Sequence, residues 1–179
     1  LWLLVFLGWV YSGFLQFQFA DFRWPGVLQR IGICYFFGAI AVLNLRVRGQ
    51  AILLAGILLG YWVLLRTVPA PGFKAYDLTM EGSLVGYVDR LLIPGKLHYK
   101  LGDNEGVLST LPAIGNVLMG ALAGQWLRSA RTPGIKVLGL FLASAISLTA
   151  GYLWSFEFPL NKILWTSSFV LVTGGCSLS

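Results

Sequence analysis

Three short stretches of the sequence gather side chains able to do chemistry. In "PGVLQRIGICY" (residues 25–35) the amide of Gln29 and the guanidinium of Arg30 interrupt a strongly apolar run. In "GDNEGVLSTLPAIGN" (102–116) Asp103 and Glu105 are followed by Ser109, Thr110 and Asn116. In "PLNKILWTSS" (159–168) Asn161 and Lys162 lead into Trp165, Thr166, Ser167 and Ser168. An arginine fork is matched in shape and charge to phosphate and carboxylate, and Gln29 adds a second polar group that needs a partner. Glu105, Ser109 and Asn116 read as a polar stripe lining a cavity. Each group also has a plainer reading. Arg30 can snorkel to a membrane surface, Asp103 can cap a helix, and Lys162 with Trp165 can anchor a helix end at the interface.

The elements that must position these groups are set by composition. Of 179 residues, 57% are hydrophobic and only 11% charged, with a mean hydropathy of +0.76. Soluble domains carry about a quarter charged residues, so a water-soluble core is excluded. Spanning a hydrocarbon core of about 30 Å takes roughly 20 apolar residues. Six spans are expected, about 1–18, 27–45, 51–68, 106–127, 137–154 and 163–179, the last cut short. The fold class is therefore all-α, a polytopic transmembrane bundle forming a single domain over 1–179. The chain begins with Leu1 and stops inside an apolar run, so it reads as an internal piece of a longer protein.

Charge gives an orientation. The loops around 46–50 and 128–136 carry Arg46, Arg48, Arg128, Arg131 and Lys136 and no acid, whereas all seven acids fall in the alternate loops. The positive-inside rule makes the basic loops cytoplasmic and puts 19–26, 69–105 and 155–162 outside. The net charge of +6 is then a topology signal rather than a nucleic-acid footprint. The long 69–105 loop, rich in aromatic and aliphatic residues, is expected to fold as an ordered cap. Its "GYVDRLLI" segment would lie along the membrane with Tyr87 and Leu91 down and Asp89 and Arg90 toward water. "GILLG" (Gly56, Gly60) and "GALAG" (Gly120, Gly124) have the small-residue spacing that lets helices approach closely. Packing within the chain is the expected use, with a homodimer seam as the alternative. Cys34 and Cys176 fall in apolar segments, and one histidine, His98, cannot build a metal cluster.

"PGVLQRIGICY", "GYVDRLLI", "DNEGVLSTLPAIGNVLMGALAG" and "PLNKILWTSSFVL" together resemble the transmembrane catalytic domain of the heparan-α-glucosaminide N-acetyltransferase family, above all its bacterial relatives. The resemblance runs over about residues 24–175. The family has proline where this chain has Asn104. The resemblance implies an integral protein of a bacterial cytoplasmic membrane that moves acetyl from cytoplasmic acetyl-CoA to an amino sugar on the outer face. It implies donor contacts from Arg30, Gln29 and Asn116. Asp103, Glu105, Ser109, Asn161, Lys162, Trp165 and Ser168 would line the cavity. It also places the family's catalytic histidine upstream of these residues, so His98 is not expected to replace it. The competing readings are a transporter for an anionic or sugar solute and a non-catalytic membrane scaffold.

Overall fold

The computed structural model describes residues 1–17 and 22–179, and every regular element among them is helical. The helices are α1 (Trp2–Tyr11), α2 (Val27–Asn44), α3 (Val47–Thr67), α4 (Leu84–Leu92), α5 (Thr110–Leu127), α6 (Pro133–Ser155) and α7 (Ser167–Leu178). Six overlap the expected spans, with shifted ends, and α4 lies within the long loop. α2, α3 and α6 are long and apolar enough to cross a membrane by length and composition, while α1 and α7 are shorter apolar helices. Their outward faces carry large apolar side chains; Leu43 is 83% exposed, Ile52 73% and Ile146 68%. A soluble monomer does not leave such surface in water. The chain is an integral membrane protein.

Helix ends follow local chemistry. Pro25 and Gly26 precede α2, and Pro69 holds the residue before it, Val68, in extended backbone, which stops α3. Pro133 opens α6 at the position where a missing N–H is harmless. The Ser83 hydroxyl caps α4 by accepting the Gly86 N–H at 3.1 Å. α5 starts at Thr110 rather than near 106. Pro112 falls in its first turn, whose N–H groups have no intrahelical partner in any case. The last span likewise begins at Ser167 and not at 163, because 161–166 form a turn. The expected first span reached residue 18 and the outer loop included Asp21. Residues 18–21 lie outside the described residues.

α5 sits at the centre, touching α2, α3, α6 and α7, while α1 leans on α2 and α6 pairs with α7 along its length. The small-residue motifs do not make these contacts. A Cβ added at Gly56, Gly60, Gly120 or Gly124 would meet nothing within 4 Å, so the expected packing within the chain is not found there. The close approaches use other glycines. A Cβ on Gly38 would fall 2.5 Å from Val117 where α2 crosses α5, and one on Gly151 2.8 Å from Val172 where α6 meets α7.

The cap helix is also turned differently from its expected pose. Asp89 is fully buried rather than turned to water. Arg90 donates to the carbonyls of Met80, Glu81 and Leu101. The polar face of α4 packs on the 101–107 backbone, whose N–H and C=O groups require partners when buried. That demand outweighs the amphipathic pattern read along the helix.

Candidate functional site

Arg30 lies in the first turn of α2 and is only 7% exposed. Its guanidinium turns into the bundle. Nη1 donates to the Asn104 carbonyl at 2.6 Å and Nη2 to the Ser109 carbonyl. The same group stacks over the Trp165 ring, 4.3 Å from its centroid, a cation–π contact strengthened by the loss of water. Trp165 holds its place from a left-handed backbone (φ 54°), a conformation disfavoured for a bulky residue and found mostly where surrounding contacts over-determine it. Here its indole N–H donates to Asn116 Oδ1 at 2.9 Å, and the Asn116 amide donates onward to Thr173 Oγ1 at 3.2 Å. α2, the loop before α5 and the turn before α7 thus meet at one guanidinium. Asn116 is one contact removed from Arg30, and the Ser109 hydroxyl faces the carbonyls of Asn104 and Gly106.

The loop carrying Asn104 and Ser109 is itself tied down by two carboxylates. Asp103 accepts from Arg23 Nε at 2.9 Å and Nη2 at 2.6 Å, and from the N–H groups of His98 and Glu105, each at 2.9 Å. Glu105 pairs with the same Arg23. Below them Asp89 accepts the Asp103 N–H at 3.2 Å and the Val107 N–H at 2.9 Å. Asp103 therefore does not cap α5; it clasps the loop. Burial works against its ionisation, yet Arg23 and the two N–H groups hold its carboxyl below the usual range. Burial of Asp89 wins over its hydrogen bonds and pushes its carboxyl up to about 6.

The signs of these two shifts are opposite. Asp89, raised when folded, is most favourable to the folded state when protonated. Its contribution grows as pH falls from about 6 toward the ordinary carboxylate value near 4. Asp103, lowered when folded, contributes above its unfolded value and loses that contribution as pH falls through its folded one. Stability is expected to rise modestly between pH 6 and about 4 and to fall below that. Asp89→Asn should remove the rising limb. Thermal unfolding in detergent across this range measures it, and an unchanged rising limb in Asp89→Asn would refute the assignment.

Beside Arg30 opens a cavity of about 570 Å³, walled by α1, α2, the end of α4 and the start of α5. Its lining is mainly apolar, with Trp9, Trp24 and Phe37 facing Gln29, Arg30 and Glu105. Two buried donors at this wall, Gln29 Nε2 and Arg30 Nε, have no hydrogen-bond partner. The Gln29 amide lies against Gly8 of α1 and Gly26, where a Cβ would overlap it. Buried unsatisfied N–H groups are rare and costly, and these two are enclosed beside the cavity rather than open to it.

Of the residues singled out in the sequence, Gln29, Arg30 and Glu105 line the cavity; Ser109, Trp165 and Asn116 hold Arg30 directly or at one remove. Asn161 Oδ1 accepts the N–H groups of Ile163 and Leu164, and Ser168 donates to the Phe158 carbonyl. Both shape the turn that sets Trp165. Lys162 is exposed, and so is His98, whose ring packs edge-on against Tyr99. Cys34 is buried and free, and no group of three or more metal-ligating side chains occurs among the described residues. Arg23 and Asp89 are the participants that sequence patterns missed. Arg23 lies 80 residues from Asp103, so no local spacing could have paired them.

The fold and site define a helical membrane protein with a charged joint buried at one end of the bundle, beside an apolar cavity. No family model matches the chain. It is similar to heparan-alpha-glucosaminide N-acetyltransferase of Homo sapiens, at 29% identity over 83% of this chain. The match covers 30% of that relative, so the chain spans less than a third of its length. This likeness supports relatedness to that enzyme's family.

Proposed function

We propose that the chain is part of a membrane-embedded N-acetyltransferase that carries acetyl from acetyl-CoA to the amine of an amino sugar. The observation that carries this reading is the inward-turned Arg30. It is buried and fixed by two loop carbonyls and the Trp165 face, yet it keeps an unpartnered Nε beside the equally unpartnered Gln29 amide. The resemblance of the surrounding motifs and the likeness to the human enzyme support the choice of reaction.

In this reading acetyl-CoA enters from the side of the 46–50 and 128–136 loops, and the acceptor binds on the side of the 69–105 cap. A small shift of the enclosing side chains brings the free donors of Gln29 and Arg30 to the thioester carbonyl. When the amine attacks that carbon, negative charge builds on its oxygen, and fixed N–H donors in a dry site stabilise such charge. The C–N bond forms, the C–S bond breaks, and the thiolate leaves with coenzyme A. The proton from the amine passes to the upstream histidine that the resemblance implies.

The test uses the full-length protein in vesicles of controlled orientation, with glucosamine on one side, acetyl-CoA on the other, and mass spectrometry as the readout. N-acetylglucosamine is expected only when acetyl-CoA meets the face bearing the basic loops. Passage of unmodified sugar without acetylation would replace this reading with the transporter. Absence of both transfer and passage would leave a scaffold.

A further inference from the structure

The opposite end of the bundle carries a second cavity, of about 330 Å³, between α3, α5, α6 and the end of α7. This volume lies at the small end of ligand sites, which run roughly 300–1,000 Å³. Its walls are apolar, including Leu54, Leu122, Ala123, Leu140 and Ala143, and Trp126 stands at its edge.

Trp126 joins this apolar space to the basic 128–136 loop. Its indole N–H donates to the Lys136 carbonyl at 3.0 Å, and the Arg131 guanidinium lies 4.3 Å over its ring. Gly139 allows the indole to lie flat on α6, since a Cβ there would come 2.6 Å from its nitrogen. The loop adds exposed Arg128 and half-buried Lys136 and has no acid. Orientation rules alone explain why such a loop is basic. They do not explain a guanidinium stacked on the very tryptophan that walls an apolar slot.

We infer that this cavity takes one acyl chain of an anionic phospholipid whose phosphate rests on Arg128, Arg131 and Lys136. The complement is direct: apolar walls for the chain, an indole at the polar–apolar boundary where tryptophan is favoured, and three cations for the headgroup. Basic pockets between transmembrane helices hold anionic headgroups by the same balance of forces. The site is separate from Arg30, and its occupancy does not depend on the acetyltransferase reading.

Native mass spectrometry of the delipidated full-length protein, incubated with equal amounts of phosphatidylglycerol and phosphatidylcholine, tests the inference. The unaltered protein is expected to retain phosphatidylglycerol in preference. The triple variant Arg128→Gln, Arg131→Gln, Lys136→Gln changes only side chains at the membrane surface and should lower that preference at least about five-fold, the factor that one basic residue near an anionic surface supplies. Ala143→Phe, on a lipid-exposed face, should fill the slot and reduce retention of both lipids while unfolding at an unchanged temperature. Equal retention of the two lipids by the unaltered protein would overturn the inference. So would undiminished retention by Ala143→Phe, which would leave only headgroup attraction, or no retention at all, which would mean that another part of the full-length protein covers the slot.

Discussion

On the acetyltransferase reading, Arg30→Leu is expected to lower acetyl transfer by about 100-fold or more while the protein still inserts in the membrane. Two charge-assisted hydrogen bonds disappear, to the carbonyls of Asn104 and Ser109, each contributing about 1.5–3 kcal/mol. Those bonds act on folding; the rate loss comes from the Nε donor assigned to the thioester carbonyl, since removing one such donor costs about 10²–10³ in rate. The two stranded carbonyls should also lower the unfolding temperature. Arg30→Lys separates charge from shape. It keeps the cation but not the planar fork that reaches both carbonyls and lies flat on Trp165, so an intermediate loss of about tenfold is expected. Rates measured in oriented vesicles, alongside melting curves, check both variants. An Arg30→Leu protein that transfers acetyl at the unaltered rate would reduce Arg30 to a packing element.

The second large effect is on stability. Asp103→Ala is expected to destabilise the folded protein by about 3 kcal/mol, since Arg23 loses its fork-shaped acceptor and the His98 and Glu105 N–H groups lose their partner. Asp103 is wholly buried whereas the Arg23 side chain is 28% exposed, which places the figure at the low end of the usual range. Arg23→Ala alone should cost less, because Asp103 keeps the His98 and Glu105 N–H groups. The double variant should fall well short of the sum, as groups in one network couple. Acetyl transfer should fall in Asp103→Ala as well, since the loop it clasps supplies both carbonyls that orient Arg30. Chemical unfolding in detergent measures the cycle; strictly additive losses would mean that the clasp is not a unit.

The helices were legible because a bilayer enforces them: long apolar runs with segregated charge admit few other arrangements. The inward turn of Arg30 was legible for a related reason, since a mid-membrane arginine facing lipid costs about 2.5–3.5 kcal/mol even on lenient scales. What the sequence hid lies in the loops. Asp103 looked like a cap because it precedes a helix by a few residues, but Pro112 shifts the start of α5 and frees Asp103 for Arg23. Asp89 looked solvent-facing because helical periodicity weighs side chains, while its position is set by the backbone N–H groups of Asp103 and Val107. The paired glycines of α3 and α5 matched a packing motif, yet spacing cannot tell which face of a helix meets a neighbour. Gly38 and Gly151 make the close contacts without any motif around them.

The joint around Arg30 also bears on how the protein is made. Its members enter the membrane in chain order: Arg30 with α2, the carbonyls of Asn104 and Ser109 after the long loop, and the Trp165 ring only with the final turn. At ribosomal speeds of about 5–20 residues per second, the guanidinium waits on the order of ten seconds for its last partner. During that interval it lies within a turn of the end of α2, close enough for its long side chain to reach the headgroups. Snorkelling is thus open to Arg30 of the nascent chain, and docking on Trp165 adds the contact that holds the cation inward.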